Sequence, residues 1–509
     1  MLPEVSLSSD QIVPMELDEA LASIPLGFFH YRLLLICGLS FIADGMEISL
    51  IFFISTCAGE DWGLSDNEIA LIASVVFCGL LIGTFCWGPL ADAYGRRTVF
   101  IAGSVLISVA GFLSGCSPNY LSLLVLRAAV GFGLGSSSVP FDLLAEFCPA
   151  SYRGSFLIYI EYFWTLGSVL VAGSAWALLG DYSWRMLTYI TAIPVSLSCL
   201  GSIPVLPESP RWLLTQGRVQ DAEAVIRKAS EINSTPLPVF KLKPIHTVIA
   251  NKYDEKYSSE GSAVHAITAL CTLSNLKLAL PMWTVWLCFG ASYYGTILFN
   301  GLVMENNNDD SVSCSFNYSS IFVSAASEVV GCSIVVLIID RWGRVGSQFF
   351  LYVTGAIGAL LMGFTTNSQS LFTVWSICAR LGVFAASAGT WVHTPELFRT
   401  EMRATGHAVS NASAQIGSAV VPFMVYRLRA RGIGVFLAAL NVISAVCVVL
   451  LPETSRNNLD EETERLSLGD IMERVGSKSF SNRFISEHDL SLEDALMRPG
   501  EKCSSDVQK

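Results

Sequence analysis

The sequence predicts an all-α integral membrane protein with twelve transmembrane helices in two pseudo-symmetric six-helix halves. Three observations carry that expectation: the apolar content, twelve hydrophobic runs of spanning length, and a set of landmarks that recurs at nearly one offset. Of 509 residues, 52% are hydrophobic, about 265 positions, and twelve spans of ~21 residues would occupy about 250 positions. Charged residues are 15% of the chain, against roughly a quarter in soluble domains, and mean hydropathy is +0.53. These values exclude an ordinary soluble enzyme. The net charge of -12 says little about a ligand, because the acids concentrate in the two ends of the chain and in short hydrophilic loops.

The first thirty residues hold Glu4, Asp10, Glu16, Asp18 and Glu19, with no basic residue before Arg32 and no apolar signal-like core. No cleavable signal is expected, and the first span would act as the targeting segment. Runs bounded by polar or Gly/Pro residues then fall near 31–57, 67–91, 98–116, 119–145, 154–179 and 184–206. The stretch 207–277 is polar and contains a helical candidate at 216–232, with Val219, Ala222, Val225, Ile226 and Ala229 on one stripe. Six further runs fall near 278–304, 317–340, 348–365, 370–395, 404–426 and 433–451. The expected organisation is thus a segment 1–30, a half 31–206, a central loop 207–277, a half 278–451 and a polar, largely disordered tail 452–509.

Arg96, Arg97, Arg153, Arg341, Arg344, Arg399 and Arg403 lie in loops of one side, together with the basic central stretch. The opposite short loops carry Glu60, Asp61, Asp66, Glu305, Asp309 and Asp310. The excess of basic residues places both termini and the central loop in the cytoplasm. Arg427, Arg429 and Arg431 break that pattern, so either their turn is unusual or the last pair of runs is misplaced. Fourteen cysteines sit mostly in apolar runs with no CxxC pair, which reads as packing, with no structural disulfide and no metal site. Asn233, Asn317 and Asn411 begin glycosylation sequons, but each sits on the wrong side or at a span, so no glycan is expected.

The repeat is specific. Asp92, Gly95 and Arg96 return as Asp340, Gly343 and Arg344, 248 positions on, and Glu146 with Arg153 returns as Glu396 with Arg403, 250 positions on. Arg127 has a counterpart in Arg380, and Pro207-Glu208-Ser209 one in Pro452-Glu453-Thr454. Two related halves place a binding site near the midplane between them.

Gly88-Pro89-Leu90-Ala91-Asp92-Ala93-Tyr94-Gly95-Arg96-Arg97 resembles the signature loop of the major facilitator superfamily, and Arg127 followed by Gly131, Gly133 and Gly135 resembles its fourth-helix motif. Ala93 stands where that loop often has a basic residue. Ala43-Asp44-Gly45-Met46-Glu47, Ala145-Glu146-Phe147, Glu161-Tyr162-Phe163-Trp164, Ser292-Tyr293-Tyr294-Gly295, Ser327-Glu328 and Thr394-Pro395-Glu396 narrow the resemblance to the synaptic-vesicle-two-related (SVOP) group. The resemblance covers nearly the whole membrane domain and implies the organic-ion branch, which also includes nicotinate and organic-cation carriers. The short loop 305–316 leaves no room for the large luminal domain of the synaptic vesicle glycoproteins.

An ionisable residue inside a span costs several kcal/mol and persists where it is paired, hydrated or useful. Asp44 and Glu47 lie ~20 Å along the first helix from Tyr31, and Glu161 and Glu328 also fall near mid-membrane at ~1.5 Å per residue. Arg127 and Arg380 are the cationic partners; four acids against two arginines leave carboxylates over. Rings can hold a cation over their faces, so the expected substrate contacts are Asp44, Glu47, Tyr159, Glu161, Trp164, Tyr293, Tyr294 and Trp391, with His393, Asn411 and Gln415 as further polar candidates. The proton-coupling candidates are Asp44, Glu47, Arg127 and Glu328. Asp92, Arg96, Glu146 and Arg153, with Asp340, Arg344, Glu396 and Arg403, are expected to latch the inner mouth.

The expected function is secondary active or facilitative transport of a small organic ion, cationic or zwitterionic rather than anionic, by alternating access, with proton coupling as a further feature. The expected setting is a monomeric multi-pass protein in the plasma membrane or an intracellular vesicle membrane, without cofactor or nucleic acid. The alternative is a non-transporting vesicle-membrane receptor or trafficking protein that uses the transporter fold. No nucleophile-base pair or phosphate loop points to an enzyme.

Overall fold

The computed structural model describes residues 13–148, 150–235, 237–238, 240–242, 270, 272–305, 314–398 and 403–454. The chain divides at Ser455, and every helix named here belongs to the unit before it. The expectation of a disordered tail falls, after Thr454, outside the described residues.

A strand β1 (Val13–Met15) and a short helix α1 (Leu17–Ala22) precede the first six spans. These are α2 (Phe28–Trp62), α3 (Asp66–Tyr94), α4 (Arg96–Gly115), α5 (Tyr120–Leu134) continued by α6 (Ser138–Phe147), α7 (Ala150–Leu178) and α8 (Trp184–Val205). Helices α9 (Pro210–Thr215) and α10 (Val219–Ile232) and strand β2 (Phe240–Leu242) follow. The second six are α11 (Leu273–Met304), α12 (Tyr318–Ile338), α13 (Gly343–Phe364), α14 (Gln369–Leu397), α15 (Arg403–Arg427) and α16 (Ala430–Val449). Among the described residues, 11 helical stretches are long and apolar enough to cross a membrane, α5 and α6 counting as one; α7, with 29 residues, is the remaining long helix. Several helices outrun their apolar cores, as α2 does to Trp62, because polar residues at the ends can stay helical beyond the apolar slab.

Within each half, two of the repeated motifs meet in space. Gly95 (φ +93°) and Gly343 (φ +79°) open α4 and α13 in the left-handed region, where a side chain is disfavoured. A Cβ at either would also collide with a carboxylate, that of Glu208 or Glu453. Those carboxylates cap the helices: Glu208 accepts from the Arg97 amide at 3.0 Å, and Glu453 from the amides of Arg344 at 2.7 Å and Val345 at 3.0 Å. A carboxylate there satisfies free N–H groups and faces the positive end of the helix dipole. The Asp-x-x-Gly-Arg and Pro-Glu-Ser/Thr echoes are therefore two parts of one device, built twice.

Helix α10 buries Ala222, Ile226 and Ala229 in a cluster with Leu21, Ile24 and Phe29. Strand β2 pairs in parallel with β1, Val13 opposite Phe240. Asn233, which begins a sequon, accepts from the Phe29 amide at 2.8 Å and so closes the start of α2. Across the halves, α3 packs on α15 and α7 on α12.

At the end carrying the acidic loops the halves are joined by rings and a covalent bond. Phe52 and Phe53 of α2 pack edge-on against Phe316, with centroids 5.1 and 5.4 Å apart. Cys57 and Cys314 form a disulfide, Cα atoms 5.2 Å apart across 257 positions. This corrects the expectation of no structural disulfide: Cys57 looks like packing because it ends an apolar run, and its partner is too remote in sequence for spacing to show. At the same end Arg427 donates to Asn67 at 2.9 Å, from α15 to α3, and Arg431 lies over the Phe364 ring at 5.8 Å. The last two helices are in place, and the basic turn between them is the unusual feature.

Candidate functional site

Between the halves lies a cavity with about 700 Å³ of space not filled by atoms, open solvent included. Phe41 and Asp44 of α2, Ser137, Ser138 and Phe141 around the start of α6, and Glu161 and Trp164 of α7 line it from one half. The other half contributes Trp286, Phe289, Tyr293 and Tyr294 of α11, Phe384, Ser387 and Trp391 of α14, and Asn411, Ala414 and Gln415 of α15. Ring pairs bracket it between the halves: Phe77 with Tyr294 at 4.6 Å and Phe141 with Trp391 at 6.0 Å. Close approach of α2 and α7 sets the acid wall. Gly45 rests on the Trp164 backbone, where a Cβ would collide with the carbonyl oxygen.

The charges expected near mid-span sort into two pairs and two leftovers. Arg127 of α5 is ion-paired to Glu47, both fully buried, and the Thr191 hydroxyl donates to the other Glu47 oxygen at 3.4 Å. Arg380 of α14 donates through Nε to Glu328 Oε1 at 2.7 Å, and the Tyr293 hydroxyl donates to the same oxygen at 2.8 Å. Asp44 is 2% exposed, and neither of its carboxylate oxygens has a partner. Glu161 makes no ion pair among the described residues. Both unpaired acids face the cavity, whose lining holds no arginine, lysine or histidine among the described residues.

Of the expected substrate contacts, Asp44, Glu161, Trp164, Tyr293, Tyr294 and Trp391 line this cavity, as do Asn411 and Gln415. Glu47 lies outside the lining, in its pair with Arg127. Tyr159 is also outside it and 48% exposed. His393 is buried between Gln348, at 3.0 Å, and the Pro452 carbonyl, at 3.1 Å, where it braces the end of α14. Sequence reasoning missed Phe41, Phe141, Trp286, Phe289, Phe384 and three serines. A ring inside an apolar run looks the same whether it faces lipid or a cavity; the Ser136-Ser137-Ser138 run interrupting a span was the one visible signal.

The charges expected to latch the inner mouth pair inside each half. Arg96 meets Glu146 at 2.5 Å, and Glu146 also accepts from Ser209. Arg344 holds Glu396 at 3.1 Å through both Nε and Nη2 and Asp340 at 2.8 Å, while Thr454 donates to Glu396. The Asp92 backbone carbonyl accepts from the Trp212 indole at 2.7 Å, and its side chain is exposed. The side chains of Arg153 and Arg403 lie outside the described residues. Among the described residues no group of three His, Cys, Asp or Glu side chains is placed to hold a metal.

Two six-helix halves around a cavity between them define a membrane transporter of the major facilitator type. Residues 31–466 match the family of sugar (and other) transporters, and the chain belongs to that family. It is 32% identical to Organic cation/carnitine transporter 7 of Arabidopsis thaliana, over 87% of this chain and 95% of that one. It is 28% identical to the Synaptic vesicle 2-related protein of Xenopus laevis, over 91% and 87%. The xylose transporter XylE of E. coli, in a partially occluded inward-open conformation, has the same fold with a TM-score of 0.67 at 18% identity, over 84% of this chain and 99% of that one. The protein is a multi-pass membrane protein of a transporter family and not an enzyme.

Proposed function

We propose that the chain is an alternating-access transporter of a small organic cation or zwitterion, whose positive group is held by Asp44 and Glu161 among aromatic rings. The observation that carries this reading is Asp44, buried with both oxygens unpartnered in a cavity whose described lining has no basic residue. A buried carboxylate without a donor is costly, and a cationic ligand removes the cost. Trp164, Trp286 and Trp391 add faces that attract a cation. A neutral sugar would leave both acids uncompensated. The relative named for organic cations and carnitine supports the same class.

The domain arrangement carries over as part of this reading: halves at 31–206 and 278–451, with both termini and the loop 207–277 cytoplasmic. The disulfide supports that orientation, since it lies at the acidic-loop end and disulfides persist in oxidising compartments. The intra-half charge networks at the opposite end brace the helix ends that part and meet as the halves rock.

The test is uptake by purified protein in liposomes. Losing one charge-assisted contact costs ~1.5–3 kcal/mol, so Asp44→Asn is expected to lower kcat/KM for an amine or betaine substrate by roughly 10- to 100-fold. Unchanged kcat/KM in both Asp44→Asn and Glu161→Gln would remove the cation site.

A further inference from the structure

One chain of contacts runs from the cavity wall into the second buried ion pair and crosses the halves on the way. The Trp164 indole N–H donates to the Tyr293 hydroxyl at 3.1 Å, from α7 to α11. That hydroxyl donates to Glu328 Oε1 at 2.8 Å, the oxygen that also takes Arg380 Nε at 2.7 Å. Trp164 and Tyr293 both line the cavity, whereas Glu328 and Arg380 do not. Glu328 Oε2 and Arg380 Nη2 are buried without partners. Arg380 also lines a separate small chamber with Ser49, Ser168 and Asn300, polar groups that can solvate the guanidinium on its far side.

We propose that Tyr293 is a positioning residue that couples occupancy of the cavity to protonation of Glu328. This rests on the transporter reading above and deepens it. Both donors make charge-assisted hydrogen bonds to one oxygen, and such bonds weaken when the carboxylate is neutral. The indole N–H strengthens the Tyr293 hydroxyl as a donor, because linked hydrogen bonds polarise one another. A ligand that takes the Trp164 N–H or turns the Tyr293 ring weakens that donation. Glu328 then takes up a proton from hydronium of the aqueous phase, forming an O–H bond at Oε2 and leaving water, and Arg380 remains charged against the serine and asparagine groups of its chamber. The positive charge of the ligand is met by Asp44 and Glu161, so ligand and proton load together and leave together. The titratable groups facing Glu328 are Arg380 from α14, Tyr293 and Tyr294 from α11, Glu161 from α7 and Cys332 on its own helix. Of these, the Tyr293 hydroxyl is the one that touches both the ion pair and the opposite half.

The test is the pH profile of uptake by the full chain in liposomes, with methylated amines and betaines as probes. Tyr293→Phe keeps the ring and removes the donor, so the midpoint of the profile is expected to move to higher pH by on the order of one unit. Trp164→Phe should move it in the same direction by less, and should add nothing in the Tyr293→Phe background. Glu328→Gln should abolish the pH dependence while exchange of ligand for ligand persists. A wild-type midpoint in Tyr293→Phe, or a Trp164→Phe shift that survives undiminished in the double variant, overturns the coupling. Wild-type protein that moves none of the probes overturns the transporter reading instead, and wild-type uptake with no pH dependence overturns the coupling alone. Loss of all uptake in Tyr293→Phe is resolved by probe binding: a bound state with the wild-type pH midpoint counts against the coupling, and a raised midpoint supports it.

Discussion

Asp44 and Glu47 show what a single residue position decides. They lie three apart on α2, about 60° apart around a helix of ~3.6 residues per turn, and that rotation sends Glu47 to Arg127 and leaves Asp44 in the cavity. The Glu47–Arg127 pair is fully buried, and removing one partner of such a pair strands the other charge at a cost of ~3–5 kcal/mol. Glu47→Gln or Arg127→Leu should therefore lower thermal stability in detergent strongly, and the double variant by clearly less than the two added together; additive losses would show that the pair is not coupled. Outside the spans, burial beside Glu60 pushes the Glu305 carboxyl up to about 7. A raised acid stabilises the fold in its protonated form, so its contribution is present at low pH and is lost as pH rises through about 7. Wild-type protein should melt at a lower temperature above that pH than below it, and Glu305→Gln should lose most of the difference; an unchanged difference would place the titration elsewhere.

At the scale of elements, the structure separates what periodicity can show from what packing adds. The twelve runs were legible because crossing a bilayer imposes a length and an apolar content that no other requirement mimics. The stripe on α10 was legible for the same kind of reason: Ala222, Ile226 and Ala229 repeat at helical spacing and are buried, with Ser230 beside them. The direction in which a span faces was not. Tyr159 and Trp164 share α7, but five positions put them about 140° apart at ~100° per residue, so one lines the cavity and the other does not. The Cys57–Cys314 bond was invisible for a different reason, being a contact between halves. It has a direct check: a protease cut within 207–277 should leave two fragments that migrate together without reductant and apart with it. Separation without reductant would show that the thiols are free.

At the scale of the whole molecule, the two halves repeat a frame and differ in what they bring to the ligand. Both carry a glycine, a capping glutamate and an arginine at matching positions, Gly95, Glu208 and Arg96 in one, Gly343, Glu453 and Arg344 in the other. Both bury one arginine-glutamate pair. The unpaired acids come from the first half, whereas most of the rings come from the second. The charge count was readable from composition, since four acids and two arginines in spans leave two acids over. Which two remain depends on helix rotation, and so did the identity of rings such as Trp286 and Phe289. A ligand must touch both halves to satisfy both contributions, which ties binding to their relative motion.

Substrate class is the claim on which the rest depends, and counterflow measures it without a driving gradient. Liposomes holding the wild-type protein, preloaded with an unlabelled amine or betaine, should accumulate the labelled compound, while neutral sugars and carboxylic acids of similar size neither accumulate nor compete. Accumulation of a sugar or a polyanion in preference to every cation tested would contradict the account.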